Sequence, residues 1–234
     1  MRVSSRPYFS IPMAQECGDD LLIHRRHACE MTQIPIILLA AGQSSRMGGA
    51  DKLMQPIEGV PLLRRVAQRA LVAGHVIIAL PPAPHPRYTV LEGLGVQLVE
   101  IPNAQEGMNA SLRGAMASIP ANAPAVMILL SDLPDLTTQD LNSVLRSVKT
   151  HPDNLIWRGA TEEGAPGHPV VFDRSLFSEL SELNGDSGAQ IVVQRYKGKV
   201  HLHRLPAQNA LLDLDTPADW TRWNAGRPQK QPLK

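Results

Sequence analysis

Ile34-Pro-Ile-Ile-Leu-Leu-Ala-Ala-Gly-Gln-Ser-Ser-Arg-Met-Gly-Gly-Ala-Asp-Lys52 is the stretch that sets the fold. Residues 34–40 form a short, continuous apolar run closed by Ala41-Gly42. Such a run reads as a strand buried on both faces that feeds a loop, the pattern of a parallel sheet. The loop that follows is built of small residues, which let backbone N–H groups approach phosphate oxygens closely. Arg46 and Lys52 add two cations beside it. A triphosphate is strongly anionic, and attack on its α-phosphorus needs that charge neutralised.

Outward from this stretch, strands and helices alternate. Residues 61–73 place Leu62, Leu63, Val66, Ala67, Ala70 and Leu71 on one helical face, and Gly74 stops the helix. Strands are expected at 76–80, 96–101 and 125–130, with helices at 108–119 and 137–149. Thr137 and Asp140 form a capping pair for the last of these. The pattern predicts a mostly parallel sheet with helices on both faces. The rhythm then changes. Residues 155–157, 169–172 and 200–205 read as strands, 159–167 as a polar, glycine-rich loop, and 174–183 and 187–196 as helices. Thr216-Pro217-Ala218-Asp219 is a helix start with a hydroxyl cap and an early proline.

The chain has 234 residues, 43% of them hydrophobic, enough for one substantial core. Residues 31–226 read as a single domain and 227–234 as a basic, proline-interrupted tail. Residues 1–30 lack periodicity and the apolar core of a signal peptide. They read as an extension, or as sequence upstream of a start at Met31. The net charge of +1 gives no field that gathers nucleic acid. Cys17 and Cys29 form no disulfide framework, which fits a reducing cytoplasm. No apolar run approaches the ~20 residues of a membrane span.

Two rival readings of the first loop fail. A dinucleotide fingerprint needs a second glycine two residues after the first, but Gly42 is followed by Gln43-Ser44. A P-loop needs Gly-Lys-Ser/Thr, but Lys52 lies between Asp51 and Leu53. Further along, Ser131-Asp132 directly follows a buried strand, so Asp132 projects at the carboxyl edge of the sheet. A carboxylate there suits Mg²⁺, a hard ion that takes carboxylate, water and phosphate oxygens. Asp213 and Asp215 alternate and would share one side of a strand. Asp215 is the preferred second metal carboxylate and Asp213 the alternative. Gly107 opens a helix with free N–H groups, and Asn109 and Ser111 are candidates for a base or ribose. His168, between Gly167 and Pro169, and Asp186-Ser187-Gly188 at a helix start are candidates for binding the acceptor.

Together these segments resemble the molybdenum cofactor nucleotidyltransferases, in order and spacing, over residues 34–225. The cytidylyltransferase branch is the nearest match. The resemblance implies a Rossmann-like three-layer α/β sandwich of the glycosyltransferase-A type. It implies transfer of CMP from CTP to the terminal phosphate of molybdenum-molybdopterin, giving the cytosine dinucleotide and pyrophosphate with Mg²⁺ as cofactor. Leu39, Ala40, Ala41 and Gly42 match the family's nucleotide loop, Arg46 and Lys52 its phosphate cations, and Asp132 its magnesium aspartate. The segments 167–169 and 185–188 are similar to those the cytidylyl branch uses near the pterin. CTP, the molybdopterin cofactor, and molybdenum hydroxylase apoenzymes or their maturation chaperones are the implied partners. The guanylyl branch reads Leu-Ala-Gly-Gly at the loop, whereas here Ala41 precedes Gly42. An added methyl under the base favours a smaller pyrimidine. Sugar-phosphate, methylerythritol-phosphate or phospholactate acceptors would use the same loop and metal. A cofactor carrier without catalysis is the alternative from another class.

Overall fold

The computed structural model describes residues 34–185 and 188–226. The expectations for the leading segment, for Asp186 and Ser187 and for the tail lie outside the described residues. A seven-stranded sheet forms the middle layer. Its central strand is β1, Ile36–Leu39. Ile36, Ile37 and Leu38 are fully buried. Side chains alternate along a strand, so Ile36 and Leu38 enter one core while Ile37 and Leu39 enter the other. Each such aliphatic side chain contributes roughly 1.5–3 kcal/mol by burial.

A short hairpin, β2 Pro56–Ile57 and β3 Val60–Pro61, follows the first loop. The chain then runs through α1 Leu62–Ala73, β4 Val76–Leu80, α2 Pro86–Thr89 and β5 Gln97–Glu100. Next come α3 Met108–Met116, β6 Ala125–Leu130 and α4 Thr138–Thr150. The last third holds β7 Ile156–Ala160, β8 Pro166–Asp173, α5 Phe177–Ser181, α6 Gln190–Arg195, β9 Val200–Arg204 and α7 Pro217–Ala225. Helices α1, α4 and α7 pack on one face and α3, α5 and α6 on the other. Both expected capping boxes form, at Thr137–Asp140 and at Thr216–Asp219.

The sheet order is β5-β4-β1-β6-β8-β7-β9. Pairing is parallel from β5 to β6 and again between β7 and β9, while β8 runs against both neighbours. The chain moves outward from β1 to β4 and β5, then returns to β6 on the other side of β1. That reversal leaves a crevice at the carboxyl ends of β1 and β6, the usual ligand position in such sheets. Because β8 is antiparallel, its start lies where β6 ends. Val170 pairs with Ile128, so His168 lies level with the end of β6.

Three sequence expectations need correction here. The helix expected over 108–119 ends at Met116, and turn hydrogen bonds carry the chain on to Ile119. Pro120 follows, and the residue before a proline avoids helical geometry. The helix expected from 174 opens as a tight turn, Arg174–Leu176, and its α-helical part stops at Ser181. The loop expected over 159–167 shrinks to a turn, because β7 and β8 extend into it from both sides. Two of its glycines, Gly159 and Gly167, serve close backbone approach. A Cβ on Gly159 would lie 2.5 Å from the His168 carbonyl oxygen, and one on Gly167 would lie 2.0 Å from that of Ala210. His168 N–H donates to the same Ala210 oxygen at 2.7 Å, which seats the segment leading to Asp213 and Asp215. Replacing Gly167 with alanine is expected to lower stability by about 1–3 kcal/mol. Thermal melting checks this; an unchanged melt would mean the Ala210 backbone can retreat freely.

Candidate active site

The crevice begins where β1 hands over to its loop. Ser131 Oγ donates to the Leu39 carbonyl at 2.7 Å and ties the ends of β1 and β6 together. Leu39, Ala41, Gly42 and Lys52 line a cavity of about 340 Å³. Gly107, Ser111 and Asp132 close its other side. Gly107 has φ 102°, open to glycine and strained for other residues. Ala40 is not on this wall: its N–H donates to Ala79 O, and its carbonyl accepts from Arg87. Asn109 also turns away, donating its amide to the Asn184 and Gly185 carbonyls.

A compensated charge cluster stands beside the cavity. Lys52 Nζ lies 2.6 Å from Asp132 Oδ2 and 2.5 Å from Asp215 Oδ1. Arg46 Nη1 reaches Asp215 Oδ2 at 2.6 Å, with its side chain 72% exposed. Burial works against the Lys52 ammonium, but the charges and hydrogen bonds of Asp132 and Asp215 outweigh it and raise its pKa. Burial likewise opposes the Asp215 carboxylate, yet Lys52 and then Arg46 hold its pKa below the ordinary value. Asp213 goes the other way, raised by burial and by the neighbouring Asp132 and Asp215 charges. One carboxylate oxygen from each of Asp132, Asp213 and Asp215 lies within 4.8 Å of the others. Asp132 Oδ1 is buried and has no hydrogen-bond partner.

The strand expected to carry Asp213 and Asp215 does not form; residues 212–215 are irregular. Among the described residues, no strand pairs with them. Instead Leu214 N–H donates to the Asp132 carbonyl at 3.2 Å, pinning this segment directly to the loop after β6. Asp135 in that loop accepts from Trp223 Nε1 at 3.1 Å and anchors α7.

On the far side of Leu39 and Met108 lies a smaller cavity of about 100 Å³, lined by Arg158, His168 and Gly188 among others. His168 hydrogen-bonds the backbone of Ile128, and its Nδ1 is buried without a partner. Burial and the nearby Arg158 charge push its pKa down to about 4, so the ring is neutral at neutral pH. Arg158 Nε donates to the Gly167 carbonyl at 2.8 Å. Sequence reasoning missed Arg158, which sits on a strand among apolar residues with no motif around it. It also missed Arg87, which approaches the first loop from behind.

Comparison with known proteins gives the family and the fold. Residues 36–200 match the model of the MobA-like NTP transferase domain. A probable molybdenum cofactor guanylyltransferase of Natronomonas pharaonis is 30% identical over 160 residues, 67% of this chain and 76% of that protein. The crystal structure of Rv0371c from Mycobacterium tuberculosis H37Rv superposes with TM-score 0.71 at 30% identity, covering 82% of this chain and 96% of that one. A structure of Rv0371C in complex with manganese, from the same organism, superposes with TM-score 0.69 at 27% identity, covering 84% and 100%. Among the described residues, no helix is long and apolar enough to cross a membrane. Since the matched region runs from the first residue of β1 to the first of β9, the chain belongs to the MobA-like NTP transferase family and is a nucleotidyltransferase.

Proposed function

We propose that the chain transfers CMP from CTP to the terminal phosphate of molybdenum-molybdopterin, forming the cytosine dinucleotide and pyrophosphate in the cytoplasm. The observation that carries this reading is the meeting of Arg46, Lys52, Asp132 and Asp215 beside a cavity walled by small loop residues. An acceptor phosphate oxygen bonds to the α-phosphorus as the bond to the β-phosphate bridging oxygen breaks. Lys52 and Arg46 turn from the carboxylates to the phosphate oxygens, where negative charge is concentrated. Their charge then acts where the leaving pyrophosphate develops its own.

The carboxylates fit a divalent cation. Three acidic groups offer hard oxygen donors within reach of one another, and one buried oxygen of Asp132 lacks a partner. Asp132 and Asp215 would hold the ion, with Asp213 beside them. When bound, Mg²⁺ neutralises triphosphate charge and polarises the α-phosphate. The manganese complex of the mycobacterial protein supports a divalent ion at this fold.

The acceptor side is the smaller cavity. His168 and Gly188 form part of its wall. Asp186 and Ser187, the acceptor candidates next to Gly188 in sequence, lie outside the described residues. Molybdenum hydroxylase apoenzymes or their maturation chaperones would receive the product. The preference for cytosine rests on Ala41, whose side chain is buried in the wall shared with Gly42. The Natronomonas relative is named a guanylyltransferase, so GTP is the competing nucleotide.

Incubation with molybdenum-molybdopterin, Mg²⁺ and either CTP or GTP, with mass detection of the dinucleotide, tests the proposal. The cytosine product with CTP is expected; a guanine product alone would reverse the base assignment. No product with either, despite cofactor binding, would favour a carrier. Asp132→Asn is expected to lower kcat about 10²–10³-fold, roughly 2.7–4 kcal/mol of transition-state stabilisation. Chelating the divalent ion should abolish turnover. Ala41→Gly should narrow the CTP-over-GTP ratio, and an unchanged ratio removes the steric account of base choice.

His168 also gives a stability signature. Its folded pKa is depressed, so as pH falls through 6.5 the unfolded chain takes up a proton that the folded protein refuses until about 4. Stability is therefore lost across that window, by an amount on the order of 1–3 kcal/mol. Urea melts at pH 7.5 and pH 4.5 should show a smaller loss for His168→Gln than for the parent protein.

A further inference from the structure

The first loop is thin. A Cβ built on Gly42, Gly48 or Gly49 would meet nothing within 4 Å. Ala41, Gly42 and Gln43 stand between the 340 Å³ cavity and a second of about 520 Å³ on the other side, lined by His85 and Arg87. Side-chain packing therefore does little to fix the loop, and Met47 is its one well-buried apolar side chain between Gln43 and Ala50. Ser44, at φ 53° and ψ 33°, holds a left-handed conformation that a non-glycine residue keeps only when its surroundings enforce it.

Arg87 supplies that enforcement. Its residue is 2% exposed, held on α2, where its N–H donates to His85 Nδ1 at 3.2 Å. Nη1 donates to the Ala40 carbonyl at 2.6 Å. Nε and Nη2 clamp the two Asp51 oxygens, each at 2.7 Å. Nη2 also reaches Ser44 Oγ at 3.3 Å. Ala40, Ser44 and Asp51 are the entry, the strained turn and the exit of the loop. Asp51 Oδ1 further accepts from the Leu53 N–H at 3.0 Å and from the Ser44 hydroxyl at 3.2 Å. Lys52 N–H donates to Ser44 Oγ at 3.3 Å. One planar guanidinium thus sets the spacing between the loop's first amides and the origin of the Lys52 side chain.

We propose that Arg87 is a positioning residue for nucleotide binding: acting through Ala40, Ser44 and Asp51, it holds the 41–51 loop and Lys52 in the binding-competent arrangement before the nucleotide arrives. The inference rests on the reading that this loop holds the nucleoside triphosphate. Without the clamp the loop spreads over more conformations, and apparent affinity falls by the fraction that remains competent. Lysine is no substitute, because a point charge cannot serve a carbonyl, a hydroxyl and both carboxylate oxygens together. Removing Arg87 alone would also strand the Asp51 carboxylate, whereas neutralising both partners removes that penalty.

Arg87→Lys and the double variant Arg87→Met with Asp51→Asn are compared with the parent protein. The readouts are thermal melting, CTP and GTP affinity, and turnover at saturating nucleotide. The expected result is nucleotide Kd and KM about tenfold higher in both variants with kcat within about threefold. The double variant should melt close to the parent yet remain weak in binding. Amide exchange confined to residues 41–53 should quicken in both. Either variant folding with parental Kd overturns the proposal, as does a loss in kcat with Kd unchanged. Should the double variant not fold, the lysine variant decides by the same titration. A parent protein that binds neither CTP nor GTP would instead overturn the nucleotide reading itself.

Discussion

Lys52 sits between the carboxylates of Asp132 and Asp215, and the rest of the molecule can be understood as the apparatus that puts it there. The three residues come from distant parts of the chain, so no local structure brings them together. Asp132 is placed by β6, Lys52 by the loop leaving β1, and Asp215 by a segment that is neither helix nor strand. Side chains of both Lys52 and Asp132 are largely shielded from water. Taking ions out of water is costly, and buried pairs are often no better for stability than well-packed apolar residues. The cluster is therefore poorly explained as a device for folding. It is better explained as charge kept in readiness for a ligand that carries both signs, a metal-bound polyphosphate. Arg46 differs: exposed as it is, its pair with Asp215 adds little to stability and leaves the guanidinium free to move.

Those parts of the fold that depend on local pattern were legible in the sequence. The apolar run at 34–40, the amphipathic helix at 61–73 and both capping boxes needed no partner to be recognised, because periodicity and cap chemistry are short-range. The loop cations and Asp132 were legible as candidates for a similar reason, since the loop and Asp132 each follow a recognisable strand. Failures cluster where a residue's purpose lies across the molecule. Gly159 and Gly167 carry the composition of a loop, but they make room for a neighbouring backbone. Asp213 and Asp215 alternate as strand residues do, yet the bond from Leu214 to Asp132 fixes them instead. Arg87 has its partners 36, 43 and 47 residues away, and nothing near it in sequence announces them.

The cavities on either side of Leu39 and Met108 differ in their lining. The cavity of about 340 Å³ lies beside the β1 loop and mixes the small residues Ala41, Gly42 and Gly107 with the longer Gln43, Gln105 and Met108. Ala41 adds a single methyl to that wall, and the proposed base choice rests on it. The smaller is walled by Arg158 and His168 from β7 and β8. Its polar groups are fewer: the His168 ring and a guanidinium already tied to a carbonyl are among them.

The seam between β6 and β8 is where the sheet reverses direction. The residues proposed to handle the nucleotide lie on the β1–β6 side, apart from Asp213 and Asp215, while the groups facing the smaller cavity come chiefly from beyond the seam. A boundary of this kind makes the architecture modular. Changes in the later strands would alter the smaller cavity while leaving β1 and its loop in place, provided the crossing segment at 205–215 still returns its aspartates to the same corner.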